Sequence, residues 1–349
     1  MASMAKFSFR LLNPKNFKKL TKKQKIIYIS SVIAIILIIG LIASVLFGKD
    51  APEVTEEEPQ KYYSQLTGLE VSEEDSKQPI LGIMVENHPD ARPQTGLDSA
   101  GIVFETIAEG GITRYLALFQ ENQPEEIGPV RSVRVYYLDW AMGFDASLAH
   151  VGGAADALNL IDQRNAKSLS QFQYTEPYHR TDDRVAPHNM YATTSLLRSL
   201  QKDLNHKTAE FDPIPRSDDS PITEEEKDDE AKVIKIDFSI PTYGVEFRYR
   251  PETNDYVRHL DGSPDIDAAT NKPIVVKNVV VIWMKTDTIS ATGLGNGILF
   301  KDGKSQNIKW AMPSYRERIK FSDKEGNEIE LNKGDLWISA LPQSKDVEY

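Results

Sequence analysis

The chain has no cysteine among its 349 residues. That absence excludes disulfides, cysteine-ligated metals and the thiol on which a bacterial lipid anchor is built. Histidine is scarce, with six in all, and none falls in an HxxxH or HExxH spacing, so neither a dedicated metal centre nor a cofactor is expected. No GxSxG elbow, Walker loop or dinucleotide fingerprint occurs either. No acidic residue precedes the uncharged run from Ile26 to Gly48, whereas Lys6, Arg10, Lys15, Lys18, Lys19, Lys22, Lys23 and Lys25 all do.

That apolar run predicts a transmembrane helix, because at about 1.5 Å per residue it crosses a hydrocarbon core of roughly 30 Å. A cleaved signal peptide is the competing reading, but the run exceeds the usual apolar region of about 7–15 residues. The basic flank places the N-terminus in the cytoplasm and everything after Gly48 outside, on a single-pass membrane protein. The net charge is −11, and setting aside the eight basic residues of the tip leaves −19. A body that acidic is not expected to bind nucleic acid.

The remainder divides by composition. Residues 49–78 are rich in Glu, Pro, Ser and Gln and read as an acidic linker, and residues 213–232 read as an acidic connector or a long loop. Between them, 79–212 mixes signals: strands at Ile80–Val85, Gly101–Ile107, Ile112–Phe119 and Ala146–Val151, and helices at Val130–Met142 and Ala154–Ile161. This is an α+β or α/β domain. Residues 233–349 alternate in runs such as VIKIDF, VEFRYR, NVVVIWM and GDLWISAL, which predicts a smaller, mainly antiparallel β domain.

The run VENHPDARPQTGLDSAGIVFETIAEGGITRYLALF, followed by IGPVRSVR, HVGG and VAPHNMYA, resembles the YerB family of bacterial cell-surface proteins. The late NVVV, the Asp302-Gly303 turn and GDLWIS resemble that family's second domain. The resemblance implies an envelope location and a two-domain soluble part, and brings no reaction with it. This chain departs from the lipoprotein pattern, since it has an apolar helix and no lipobox cysteine.

Candidate chemistry gathers in the first domain. If Gly110-Gly111 closes a two-residue hairpin, Glu105, Glu109 and Arg114 share one sheet face with apolar neighbours. Such a face suits either a general acid for glycan cleavage, with Glu105 or Glu109 in that role, or a structural ion pair. Arg131 and Arg134, three apart on the expected helix, would project together beside the His150-Val151-Gly152-Gly153 turn and offer an anion site. Glu86, Asn87 and His88 close the first strand, and His188 and Asn189 follow Pro187, as further ligand-binding candidates. Three functions remain: a binding or accessory module for an envelope glycan, anionic polymer or protein; a peptidoglycan- or glycan-cleaving enzyme; and a scaffold for a protein partner.

Overall fold

The structure, a computed structural model, describes residues 21–47, 60–223, 231–285 and 290–349. Most of the basic tip, residues 49–59 of the expected linker and 224–230 of the acidic run lie outside the described residues. Helix α1 (Lys22–Phe47) has 26 residues, about 39 Å at 1.5 Å each, long enough and apolar enough to cross a bilayer. It belongs to one unit, residues 1–60, and residues 61–349 form another.

Ten strands of the second unit make one mixed sheet: β1 (Leu81–Glu86), β2 (Ile102–Glu109), β3 (Ile112–Phe119), β4 (Ser147–His150), β5 (Ser168–Ser170), β6 (Asn278–Met284), β7 (Gly293–Lys301), β8 (Lys304–Met312), β9 (Lys320–Ser322) and β10 (Leu336–Pro342). Their spatial order is β9-β8-β7-β6-β10-β2-β3-β1-β4-β5. The C-terminal part is antiparallel except at β10, which runs parallel to β6 on one side and to β2 on the other. Through β10 the two segments share a sheet.

Side-chain alternation then sorts the core. Leu81, Ile83, Val85, Val103, Tyr115 and Trp337 pack on one face against the smaller sheet built from Val233–Asp237, Gly244–Arg250 and Asp255–Leu260, which contributes Phe247 and Tyr256. Met84, Phe104, Leu116 and Ile338 point the other way. They meet helices α2 (Val135–Gly143) and α3 (Ala155–Arg164), whose Tyr137, Trp140, Ala157 and Ile161 complete that layer. Phe104 stacks on Trp140 with ring centroids 4.7 Å apart.

Two expected boundaries move. From Lys61 onward the expected linker is folded: Leu66 is fully buried, while Ser64 and Thr67 hydrogen-bond Glu121 at 2.7 and 2.5 Å. Its polar side chains are partners of the body, which composition alone could not reveal. The first helix starts at Val135, five residues later than expected. Residues 130–133 are extended because their N–H groups serve other strands, Val130 to Met190 O (2.6 Å), Arg131 to Met84 O (2.9 Å) and Val133 to Gly152 O (3.1 Å).

Candidate functional site

The β2–β3 hairpin carries a β-bulge between Ile107 and Glu109. Glu109 opposes Ile112 as expected, but beyond the bulge Ile107 opposes Thr113 and Glu105 opposes Tyr115. One extra residue reverses facing. Glu105 therefore lies on the opposite face from Arg114, correcting the expectation that the two share a surface.

Glu105 is fully buried against the smaller sheet. Its Oε2 accepts from Arg258 Nη2 at 2.9 Å and from Trp337 Nε1 at 3.1 Å, and its Oε1 accepts from the Thr113 hydroxyl at 3.0 Å. Arg258, also fully buried, reaches Asp265 with its other terminal nitrogen and lies 4.5 Å over the Trp337 ring. Burial works against the Arg258 charge, but Glu105, Tyr115 and Asp265 together push its pKa above the ordinary guanidinium value. The geometry gives Glu105 a place in an inter-sheet lock, closed to any substrate.

On the other face, at the strand ends, Glu86 and Arg114 are register partners. Arg114 is 2 % exposed and donates to Ser132 O at 2.8 Å and to Glu109 Oε1 at 3.1 Å. Arg134 pairs with the other Glu109 oxygen and donates to Ser132 Oγ at 3.0 Å. Arg131 Nε lies 3.1 Å from Glu86 Oε1, although at an angle that leaves Arg131 Nε without a hydrogen bond. No hydrogen bond from the terminal nitrogens of Arg131 ends on a described residue, and its side chain is 25 % exposed. Burial first, and then the charges of Arg134 and Arg131, lower the Arg114 pKa, against the opposing effects of Tyr137 and Glu109. Burial alone would raise the Glu109 carboxyl, yet the Arg134 and Arg114 guanidiniums hold it below its ordinary value. That is the wrong direction for a general acid. Arg131 and Arg134 do not sit on a helix face: Arg134 is the helix N-cap and pairs with Glu109, whereas Arg131 lies in the extended segment before it, beside Glu86.

His150 turns inward, away from the anion site expected of it. Its Nδ1 donates to Gly152 O at 2.8 Å and its Nε2 accepts from Ser168 Oγ at 2.9 Å, and burial depresses its pKa. Gly152 sits at φ +67, and Gly153 lies against Val133 and Leu158, where a side chain would meet atoms at 2.7–2.9 Å. The turn is a packing device that docks α3 on the 131–133 segment.

A further cluster adjoins Glu86. His88, Asp90 and His188 each bring one potential metal-ligand atom within 4.8 Å of the others. The His88 and His188 rings stack with centroids 4.4 Å apart, and His188 Nδ1 lies 3.1 Å from Glu86 Oε1. Arg184 fastens the two loops by donating to Ala91 O at 2.6 Å and Pro93 O at 2.7 Å.

Two family models cover most of this body. The N-terminal domain of the "Protein of unknown function (DUF3048)" family matches residues 66–210, and its C-terminal domain matches 234–338. The chain belongs to this YerB-like family. It is 29 % identical over 297 residues to "Putative lipoprotein YerB" of Bacillus subtilis (strain 168), covering 81 % of this chain and 87 % of the relative. The crystal structure of YerB protein from Bacillus subtilis superposes with a TM-score of 0.73 at 27 % identity, covering 83 % of this chain and all of that one.

In this YerB-like chain, sequence reasoning placed Glu86 and His188 as separate candidates and missed that they touch. A strand-end Glu-Asn-His and a distant Pro-His-Asn gave no local sign of pairing. Asn87 fixes the strand end, donating to Thr113 Oγ1 at 2.6 Å and accepting from Arg92 Nε at 2.9 Å. Asn189 holds the other loop through Thr181 O (2.8 Å) and Arg184 O (3.1 Å).

Proposed function

We propose that this YerB-like chain is a single-pass, membrane-anchored extracytoplasmic protein whose body binds anionic groups of a cell-envelope polymer through Arg131 and Arg134. The observation that carries the reading is the half-open guanidinium of Arg131: Nε faces Glu86 while the terminal nitrogens carry no hydrogen bond to a described residue. Among the described residues, Arg114, Arg131 and Arg134 are paired directly with two carboxylates, Glu86 and Glu109. On a chain of net charge −11, that leaves a local cationic excess, and a planar guanidinium fork suits a phosphate or carboxylate. Against the enzymatic reading stand the closed hydrogen-bonded position of Glu105 and the two guanidiniums that lower the Glu109 pKa.

The test uses full-length protein in detergent, sedimented with isolated cell walls, intact or stripped of phosphate-containing polymers. Wild type is expected to co-sediment, and Arg131→Gln to bind about tenfold more weakly, the value of one charge-assisted contact of roughly 1.5 kcal/mol. Loss on stripping identifies phosphate, and retention identifies wall carboxylates. Equal binding by wild type and variant overturns the site, and no binding by wild type favours a protein partner instead. For topology, external protease on spheroplasts should remove the body and spare an N-terminal tag; a protected body overturns the orientation.

A further inference from the structure

We propose that His88, Asp90 and His188 form a binding site for a divalent transition-metal ion, with Glu86 as the carboxylate that orients His188. The ligand residues come from two loops. His88 and Asp90 flank Pro89 at the short 3-10 turn Pro89–Ala91 that follows β1, and His188 follows Pro187 a hundred positions later. Asp90 Oδ2 lies 3.6 Å from His88 Nδ1 and 4.0 Å from His188 Nε2; His88 Nδ1 accepts from the Asp90 backbone N–H at 3.2 Å, a cap that it gives up on taking the ion. An ion at about 2.1 Å from each of its ligands in a tetrahedral shell sets ligand atoms about 3.4 Å apart. The two distances to Asp90 need closure by roughly 0.2 and 0.6 Å, within a side-chain rotation of Asp90, which is 72 % exposed, and the two imidazoles, whose ligand nitrogens lie within 4.8 Å of each other, must also turn toward the shared ion.

The surroundings of His188 point to a ligand. Glu86 is 3 % exposed, and its Oε2 is buried with no hydrogen-bond partner among the described residues, as is His188 Nδ1. His188 Nδ1 lies 3.1 Å from the other Glu86 oxygen, Oε1, without a hydrogen bond, and polar atoms left unsatisfied in a protein interior are costly. The unpartnered His188 Nδ1 is explained if a small turn of the ring lets it donate its N–H to Glu86 once Nε2 is committed to an ion, the usual arrangement in which a carboxylate fixes the tautomer and ring of a metal-bound imidazole. Two imidazoles and one carboxylate select nitrogen-binding ions such as Zn²⁺ over Ca²⁺ or Mg²⁺. With three protein ligands and Asp90 at the surface, a fourth position faces solvent, open to water or an oxygen ligand. The Arg184 clamp between the loops brings the ligands together without the ion. None of this depends on the anion site, because the readout is ion binding itself.

The test uses full-length protein in detergent, without a polyhistidine tag, stripped with EDTA and titrated calorimetrically with ZnCl₂. One ion per chain is expected, with CaCl₂ unable to compete and Co²⁺ giving the intense visible bands of a tetrahedral site. His188→Ala should abolish binding, as should His88→Ala and Asp90→Asn, which lie at more exposed positions and keep the test open if His188→Ala fails to fold. Glu86→Gln should weaken binding about 10- to 100-fold while leaving stoichiometry intact. Wild type that takes up no zinc overturns the proposal, and so does zinc binding unchanged in His88→Ala and Asp90→Asn.

Discussion

Arg258 is the residue whose loss the fold should feel most. It is the cation between Glu105 and Asp265, fully buried between the sheets, so removing it leaves two carboxylates without their counter-charge in the interior. Arg258→Met should cost on the order of 3–5 kcal/mol at pH 7. The sign of its pH dependence follows from the carboxylates. Burial already raises the Asp265 carboxyl above its ordinary value and Arg258 opposes that rise, so without Arg258 the penalty grows as pH rises above about 4, the unfolded carboxylate range, and shrinks on acidification as Asp265 becomes neutral. Denaturant melts of wild type and variant at pH 7 and pH 5 check this; a gap that is small at pH 7, or that widens at pH 5, contradicts the lock. At this scale the sequence was informative about residue type more than about partners. Glu105, Glu86 and His188 stood out as polar residues beside apolar runs, but the groups that decide their roles, Arg258, Trp337 and Arg131, are remote in sequence and come together only through sheet pairing.

Strands were legible because long β-branched and apolar runs between turn residues have few other ways to bury themselves. The β2–β3 bulge was not, since Ala108 offers neither a glycine nor a polar side chain to mark an extra residue, and that single residue decided which face Glu105 takes. Nor was the pairing of β10 visible: GDLWISAL reads as a strand, but no local feature says that both of its neighbours run parallel to it. The prediction at this scale concerns that strand. Ile338 is fully buried and pairs with Val280 on one side and Phe104 on the other, so Ile338→Pro deletes a central N–H and a packed side chain. It should cost on the order of 3 kcal/mol or more, whereas Lys320→Pro in the edge strand β9 should cost markedly less. Comparable melting shifts for the two would contradict a central position for β10.

At the scale of the molecule, the two segments matched as separate family domains share one sheet, one buried lock and the strand that joins them. The acidic run between them reads from composition as a connector or as a long loop, and part of it is bound into the fold. Arg216 donates to Asn332 O at 2.8 Å and Gly334 O at 3.0 Å, and Arg216–Ser217 pairs with Leu331–Asn332. Composition reports polarity and not tertiary partners, which is why the attachment of Arg216 and Ser217 was not legible while the apolar helix α1, a local property of length and charge, was. Calorimetry probes this unity most directly. Full-length protein in detergent, with a specific protease site substituted between Thr223 and Ala231, should melt in one cooperative transition for residues 61–349 before cleavage, and after cleavage the two fragments should stay associated and still melt together. Two transitions, or fragments that separate and melt independently, would contradict it.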